Sequence, residues 1–160
     1  MKRLICALAL VFGMSPLAAS AAPTVGQPAP AFTLPTVEGK SLALASLRGH
    51  AVYLNFYATW CGPCNEEAPA IGKLSAKYKP KGLTVLGVNE LENPQKAKSF
   101  LQQYKLAYTA VVDSDGKVGH EYNALGLPVH VFIDRKGIVK MFRLGEMSSQ
   151  DIEAAIKGIL

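Results

Sequence analysis

The 160-residue sequence predicts an α/β fold: a mixed central β-sheet flanked by helices, with an added N-terminal β-hairpin. Three observations carry this expectation. Ala51–Tyr57 and residues 83–89 are nearly continuous apolar, β-prone runs, as expected for strands buried on both faces. Each is followed by a segment with helical spacing of apolar residues. Two later apolar runs, 129–134 and 138–143, are joined by Arg135–Lys136–Gly137, a link short enough to make an antiparallel hairpin. A strand–helix–strand unit needs parallel pairing through a right-handed crossover, so the hairpin makes the sheet a mixed one.

The elements follow in order. Residues 1–21 read as a cleaved secretory signal: Lys2 and Arg3 are charged, Leu4 to Phe12 apolar, and Ala19–Ser20–Ala21 small ahead of a cut. The apolar run is shorter than the roughly 20 residues that span a bilayer. Cys6 lies within it, too early for lipidation. Residues 22–160 form the expected single domain. An Ala- and Pro-rich extended arm comes first, over 22–31. Residues 32–34 and 41–44 flank Val37–Glu38–Gly39–Lys40 as a small hairpin with a Gly-containing turn. After Ala51–Tyr57, a helix carries Ile71, Leu74 and Tyr78 and ends near Lys79–Pro80–Lys81–Gly82, with Pro69 expected to kink it. Beyond residues 83–89, Asn93–Pro94 opens an amphipathic helix with Ala97, Phe100, Leu101 and Tyr104 on one face. No element is assigned between residues 105 and 128. The last helix begins at Ser148, with Asp151 three residues on as a capping box. Ile152, Ala155, Ile156 and Ile159 form its apolar stripe.

Charge excludes little except nucleic acid. The formal net charge of +5 falls to +3 once Lys2 and Arg3 are removed, leaving 15 basic against 12 acidic residues. The cations are scattered, with no basic stripe.

Cysteine usage is more informative. Beyond residue 21 only Cys61 and Cys64 remain. A structural disulfide gains from closing a long loop, and closing three residues constrains almost nothing, so the pair is read as chemical. Export would place it where disulfides persist. Trp60–Cys61–Gly62–Pro63–Cys64 lies where a buried strand passes into a helix. There, unpaired N–H groups and the helix dipole lower a thiol pKa. Cys61 is expected at the helix start, exposed and nucleophilic; Cys64, one turn inside, is expected to be more buried and to act second. Pro63 is tolerated in the first turn, and Gly62 gives the loop room. A zinc site would need a second ligand pair. His50, His120 and His130 are isolated, and no metal is expected.

The cysteine motif after a strand, with Gly126–Leu127–Pro128 before a later one, resembles the thioredoxin superfamily. The resemblance runs from about Gly26 to the end. The arm Gly26–Gln27–Pro28–Ala29–Pro30–Ala31–Phe32, the signal segment and Cys64–Asn65–Glu66–Glu67–Ala68–Pro69 are similar to exported TlpA/ResA-type proteins, with the CcmG type nearby. The resemblance implies a periplasmic thiol–disulfide oxidoreductase, most simply a reductase, whose only redox group is the Cys61/Cys64 pair. It implies exported protein substrates such as apocytochrome c or copper-site proteins, and electrons from a membrane thiol transporter. It also implies a cis Pro128 facing the cysteines, with the Leu127 backbone and the Trp60, Gly62 and Pro63 surface meeting substrate. On sterics alone, Pro128 could equally begin a strand. The lead-in to Pro128, residues 122–127, lacks the Gly-Ala-Pro pattern of the CcmG type.

Thioredoxin has a buried Asp on the strand before its motif; Asn55 fills that place here and cannot act as a base. By resemblance a carboxylate after the next strand takes over, and Glu92 fits better than Glu90, with a raised pKa and a place near Cys64. The alternative is that both are solvated loop residues. Glu66 and Glu67 are expected to be surface charges complementing the helix dipole. His130 is either a buried, hydrogen-bonded residue, a group tuning the thiols, or a copper ligand. Competing functions are therefore a disulfide donor and a Cu(I)-binding module using Cys61, Cys64 and His130. A monomer is expected.

Overall fold

The computed structural model describes residues 23–160. The expected signal segment, with Cys6, lies outside the described residues. A small antiparallel ladder joins β1 (Thr33–Pro35) and β2 (Ser41–Ala43). The main sheet contains β3 (Ala51–Tyr57), β4 (Leu83–Glu90), β5 (Thr109–Asp113), β6 (Val129–Ile133) and β7 (Val139–Leu144). Its order is β5-β4-β3-β6-β7. The first three strands run parallel, and β6 and β7 are antiparallel to their neighbours. This is a thioredoxin-like mixed sheet flanked by helices, as the sequence predicts.

Two elements are absent from the sequence reading: β5, and the short helix α3 (Lys117–Glu121). β5 pairs in parallel with β4 and completes a second crossover through α2 (Pro94–Gln103). Its five residues offer only the run Ala110–Val111–Val112 as an apolar signal. α3 is one turn long and has no side-chain cap.

The sheet is covered on both faces. On one, α1 (Gly62–Tyr78) and α4 (Ser149–Ile159) pack over Tyr53, Tyr57, Val85 and Phe132. Pro69 lies inside α1, which runs through it as one element. On the other face Phe32, Leu44, Val118 and Tyr122 cover Val52, Leu54, Phe56, Leu86 and Val131. The N-terminal segment crosses this second face like a strap. At one edge Gly26 N–H donates to the Val139 carbonyl (2.8 Å), and Val139 N–H to Gln27 (2.9 Å). At the opposite edge Val37 N–H donates to Ala110 (3.1 Å), beside a Thr36–Val111 bridge. The open groups of both outer strands are thereby partly paired, a protection that sheet edges need.

The closing helix obeys its sequence pattern. Ile152 and Ile156 are fully buried, worth roughly 2 kcal/mol each in apolar transfer. Ser148 Oγ accepts the Asp151 N–H (3.1 Å) and donates to Asp151 Oδ2 (2.7 Å). The Asp151 carboxylate thus returns to the cap hydroxyl. Ser148→Ala is expected to lower stability by about 1 kcal/mol, read as a lower urea midpoint with an unchanged m-value.

Candidate active site

The geometry follows from where β3 stops. The strand ends at Tyr57, and four residues later α1 begins with Cys61 as its N-cap. Cys61 and Cys64 are joined by a disulfide, their Cα atoms 5.3 Å apart. Cys61 Sγ accepts the Cys64 N–H at 3.3 Å, so the sulfur caps a 17-residue helix. That position sets the partial positive charge of the helix N-terminus beside the sulfur and favours a thiolate once the bond is reduced. Gly62 and Pro63 are exposed, and Trp60 is 68% exposed. Cys61 departs from expectation: it is 4% exposed, Cys64 3%. The two sulfurs bond each other and both residues are buried, so neither stands out as an open nucleophile in the oxidised chain.

Asn65 fixes the loop. Its Nδ2 donates to the carbonyls of Thr59 (3.1 Å) and Cys61 (2.6 Å), and its Oδ1 accepts from Tyr104 O–H (2.7 Å). The Leu127–Pro128 bond is cis. Val129, the next residue, pairs with Phe56 near the end of β3, which sets Pro128 beside the cysteine loop. Leu127 packs against the cluster containing both cysteines. Leu125 and Leu144 are exposed nearby, and Leu144 reaches Gly126.

Glu92 is reassigned. It is buried, but it accepts from Thr59 N–H (2.8 Å), Thr59 Oγ1 (2.7 Å) and Asn89 Nδ2 (2.9 Å), with Lys96 Nζ at 3.4 Å. Burial pushes its pKa up, yet these donors outweigh burial and hold it below the usual carboxylate range. The expected raised pKa is reversed. A carboxylate so well supplied with donors is a poor proton acceptor, and its hydrogen bonds tie down Thr59 ahead of Trp60. Glu90 is also buried, at the end of β4 opposite Asp113 of β5. Burial and the Asp113 carboxyl push it up to about 8. Neither glutamate is the solvated loop residue of the alternative reading.

Glu67 is the carboxyl the sequence reading placed wrongly. It is 5% exposed, not on the surface. Burial, countered in part by the Met147 N–H that Oε1 accepts and reinforced by Glu146, brings it up to about 7. Lying three residues after Cys64 on α1, it shares a face with that cysteine. The signal was available: Cys64, Glu67, Ala68, Ile71, Leu74, Ser75 and Tyr78 form one buried helical stripe. Its partner across the stripe is His130, fully buried on β6, with Nε2 3.5 Å from Glu67 Oε2. His130 Nδ1 meets Tyr53 O–H at 2.7 Å. Burial drives the His130 pKa down to about 4. The first of the three expectations for His130, a buried and hydrogen-bonded residue, describes its setting. Among the described residues no group of three or more His, Cys, Asp or Glu side chains is placed to hold a metal ion. Asn55, in register with His130 on β3, is buried with Nδ2 unpartnered.

A reducible cysteine pair capping a helix at the end of a central parallel strand defines a thiol–disulfide oxidoreductase built on the thioredoxin-like fold. Residues 25–142 match the AhpC/TSA family, and the chain belongs to it. It is 34% identical over 135 residues to the thiol-disulfide oxidoreductase ResA of Bacillus thuringiensis subsp. konkukian, covering 84% of this chain and 78% of that protein. A Chlorobium tepidum structure assigned as the thiol:disulfide interchange protein DsbE superposes with a TM-score of 0.80 at 34% identity, covering 86% and 99% of the two chains. A secreted disulfide oxidoreductase of Mycobacterium tuberculosis, homologous to DsbE of E. coli, matches with a TM-score of 0.73 at 28% identity, over 79% and 95%. The chain is thus a thiol–disulfide oxidoreductase of ResA/DsbE type.

Proposed function

We propose that the chain works as an exported reductase of protein disulfides. The observation that carries the reading is Cys61 Sγ at the N-cap of α1, with Gly62–Pro63 exposed above it. In the reduced protein the Cys61 thiolate attacks one sulfur of a substrate disulfide; a mixed disulfide forms and the other substrate sulfur leaves as a thiolate. Cys64 then loses its proton to Glu67 and attacks the Cys61 sulfur. The Cys61–Cys64 bond forms and the second substrate sulfur leaves, so two electrons pass from the dithiol to the substrate. Glu67 suits the proton transfer because a base with a pKa near ambient pH is the most effective.

The pair itself is the redox group, and the chemistry needs no further cofactor. The exposed Trp60 and Leu125 and the half-buried Leu127 offer an apolar landing for an unfolded segment around a substrate cysteine. An exported protein, such as an apocytochrome c or copper-site protein, fits as substrate, and a membrane thiol transporter fits as electron donor. The signal pattern of residues 1–21 and the secreted M. tuberculosis relative support a periplasmic location. Scattered cations argue against nucleic acid, and a monomer suffices for the chemistry.

Equilibration with dithiol buffers tests the direction. A reductase is expected near or below about −250 mV, close to thioredoxin; a value towards about −120 mV would make the chain a disulfide donor. Because tenfold in the equilibrium constant is only about 30 mV for two electrons, the two outcomes are far apart.

A further inference from the structure

We propose that Tyr53 and His130 are positioning residues for Glu67: the Tyr53 hydroxyl fixes His130 as its Nε2–H tautomer, whose proton faces Glu67 Oε2 and holds that carboxyl as the acceptor for Cys64. The inference rests on the reading of Glu67 given above. It begins with the proton count of a buried hydroxyl. Tyr53 is fully buried, and burial raises its pKa far above the working range, so it keeps its proton. The acceptor within reach of the hydroxyl is His130 Nδ1, at 2.7 Å. A ring nitrogen that accepts carries no hydrogen, and in neutral imidazole the other nitrogen then must. The ring is neutral because burial suppresses its charge. The hydrogen therefore sits on Nε2, which lies 3.5 Å from Glu67 Oε2, both atoms being buried without a closer hydrogen-bond partner.

The glutamate is held from both sides. Oε1 is taken by the Met147 N–H, which leaves Oε2 without a conventional partner. That oxygen lies 3.5 Å from His130 Nε2, on a glutamate one turn of α1 beyond Cys64. Donors to a carboxylate favour its charged form, so the relay offsets part of the burial that would otherwise keep Glu67 protonated and useless as an acceptor. The other charged or titratable neighbours are few. Glu146, after β7, raises the Glu67 pKa; a hydrogen bond with the Gly145 backbone raises the His130 pKa and Arg143 of β7 lowers it; Glu67 itself and then Tyr108, ahead of β5, raise that of Tyr53. None of these supplies the hydrogen that faces Oε2.

Removing only the Tyr53 hydroxyl isolates the effect. Phenylalanine preserves the ring that stacks on Phe132 at 4.5 Å, so Tyr53→Phe changes one hydrogen bond and little packing. It frees His130 to adopt the Nδ1–H tautomer. A bare Nε2 would then face Oε2 and favour protonated Glu67. The reaction to follow is the second step alone, the release of a small thiol from a mixed disulfide on Cys61 by Cys64, across pH. Tyr53→Phe is expected to move the profile's midpoint upward by about one pH unit. In a Glu67→Gln background the same change is expected to have no effect. Ring ¹⁵N shifts of His130 are expected to show Nε2–H in the parent protein and a mixture in Tyr53→Phe.

An Nδ1–H ring in the parent protein, or an unmoved Tyr53→Phe profile beside an altered Glu67→Gln profile, would overturn the relay and leave Glu67 in place. A Glu67→Gln profile identical to that of the parent would overturn the underlying reading, and the relay with it.

Discussion

Replacement of Cys61 by serine is expected to reduce disulfide turnover to the uncatalysed rate, and replacement of Cys64 to arrest the reaction halfway. A serine hydroxyl at the N-cap of α1 would keep the cap, since serine is among the preferred residues there. The fold is therefore expected to persist while the nucleophile disappears. Cys64→Ser leaves the first step intact, because Cys61 keeps its place at the positive end of the helix. The mixed disulfide then has no internal thiolate to resolve it and accumulates. Rapid alkylation followed by non-reducing electrophoresis distinguishes the two: no adduct with Cys61→Ser, a stable adduct with Cys64→Ser. A Cys61→Ser protein that still turned over substrate would remove Cys61 from the first step.

The second large effect is on stability. Glu90 and Asp113 lie side by side at the ends of β4 and β5, both at most 5% exposed. Asp113 Oδ2 accepts the Gly119 N–H (2.7 Å), tying the pair to α3. Any Cβ on Gly119 would collide with the Glu90 carboxyl, so the helix turn closes directly over it. Burial, then Asp113, pushes Glu90 up to about 8. A carboxyl whose folded pKa exceeds its unfolded value stabilises most while protonated in both states. That stability is lost as pH climbs from the unfolded value towards about 8, at up to about 1.4 kcal/mol per unit. Glu90→Gln, which is neutral at every pH, is expected to unfold with nearly parental stability near pH 4. By pH 9 it should be more stable than the parent by on the order of 3 kcal/mol. Glu67 contributes a loss of the same sign towards about 7. His130, held near 4, works oppositely below its unfolded value. Subtracting parent from variant at each pH cancels both. A pH-independent difference would show that Glu90 has the same pKa in the folded and unfolded chain.

Periodicity made the central elements legible. The strands β3, β4, β6 and β7, and α1, α2 and α4, stand within a residue or two of their expected ranges: all but β7 bury an apolar stripe or run, and β7, mostly exposed, is given by its short link to β6. Asn93 and Ser148 cap their helices as their residue types suggest. β5 and α3 were not legible. A five-residue edge strand and a one-turn helix stand below the length at which pattern rises above background. At the site, Cys61 and Cys64 could be placed from chain order alone, whereas the cis Pro128 followed only from the family resemblance. The carboxyls could not, because their behaviour depends on donors brought from distant segments. Glu92 looked free in the sequence until Thr59 and Asn89 reached it. Glu67 looked like a surface charge because its acidic type outweighed its position on the buried stripe of α1. Tyr53 and His130 lie 77 residues apart, and only the β3–β6 register makes them partners.

The N-terminal strap also fixes an orientation. Gly26 is bonded to Val139, where β7 begins, whereas Leu144, at its other end, pairs with Val129 beside Pro128. Six residues of strand, roughly 17–20 Å, separate the point where the strap leaves the sheet from the level of the cysteines. A tether, carrier or neighbouring domain joined ahead of residue 23 would thus be held at the pole far from the disulfide. The reactive face would look outward from such an attachment, towards arriving chains.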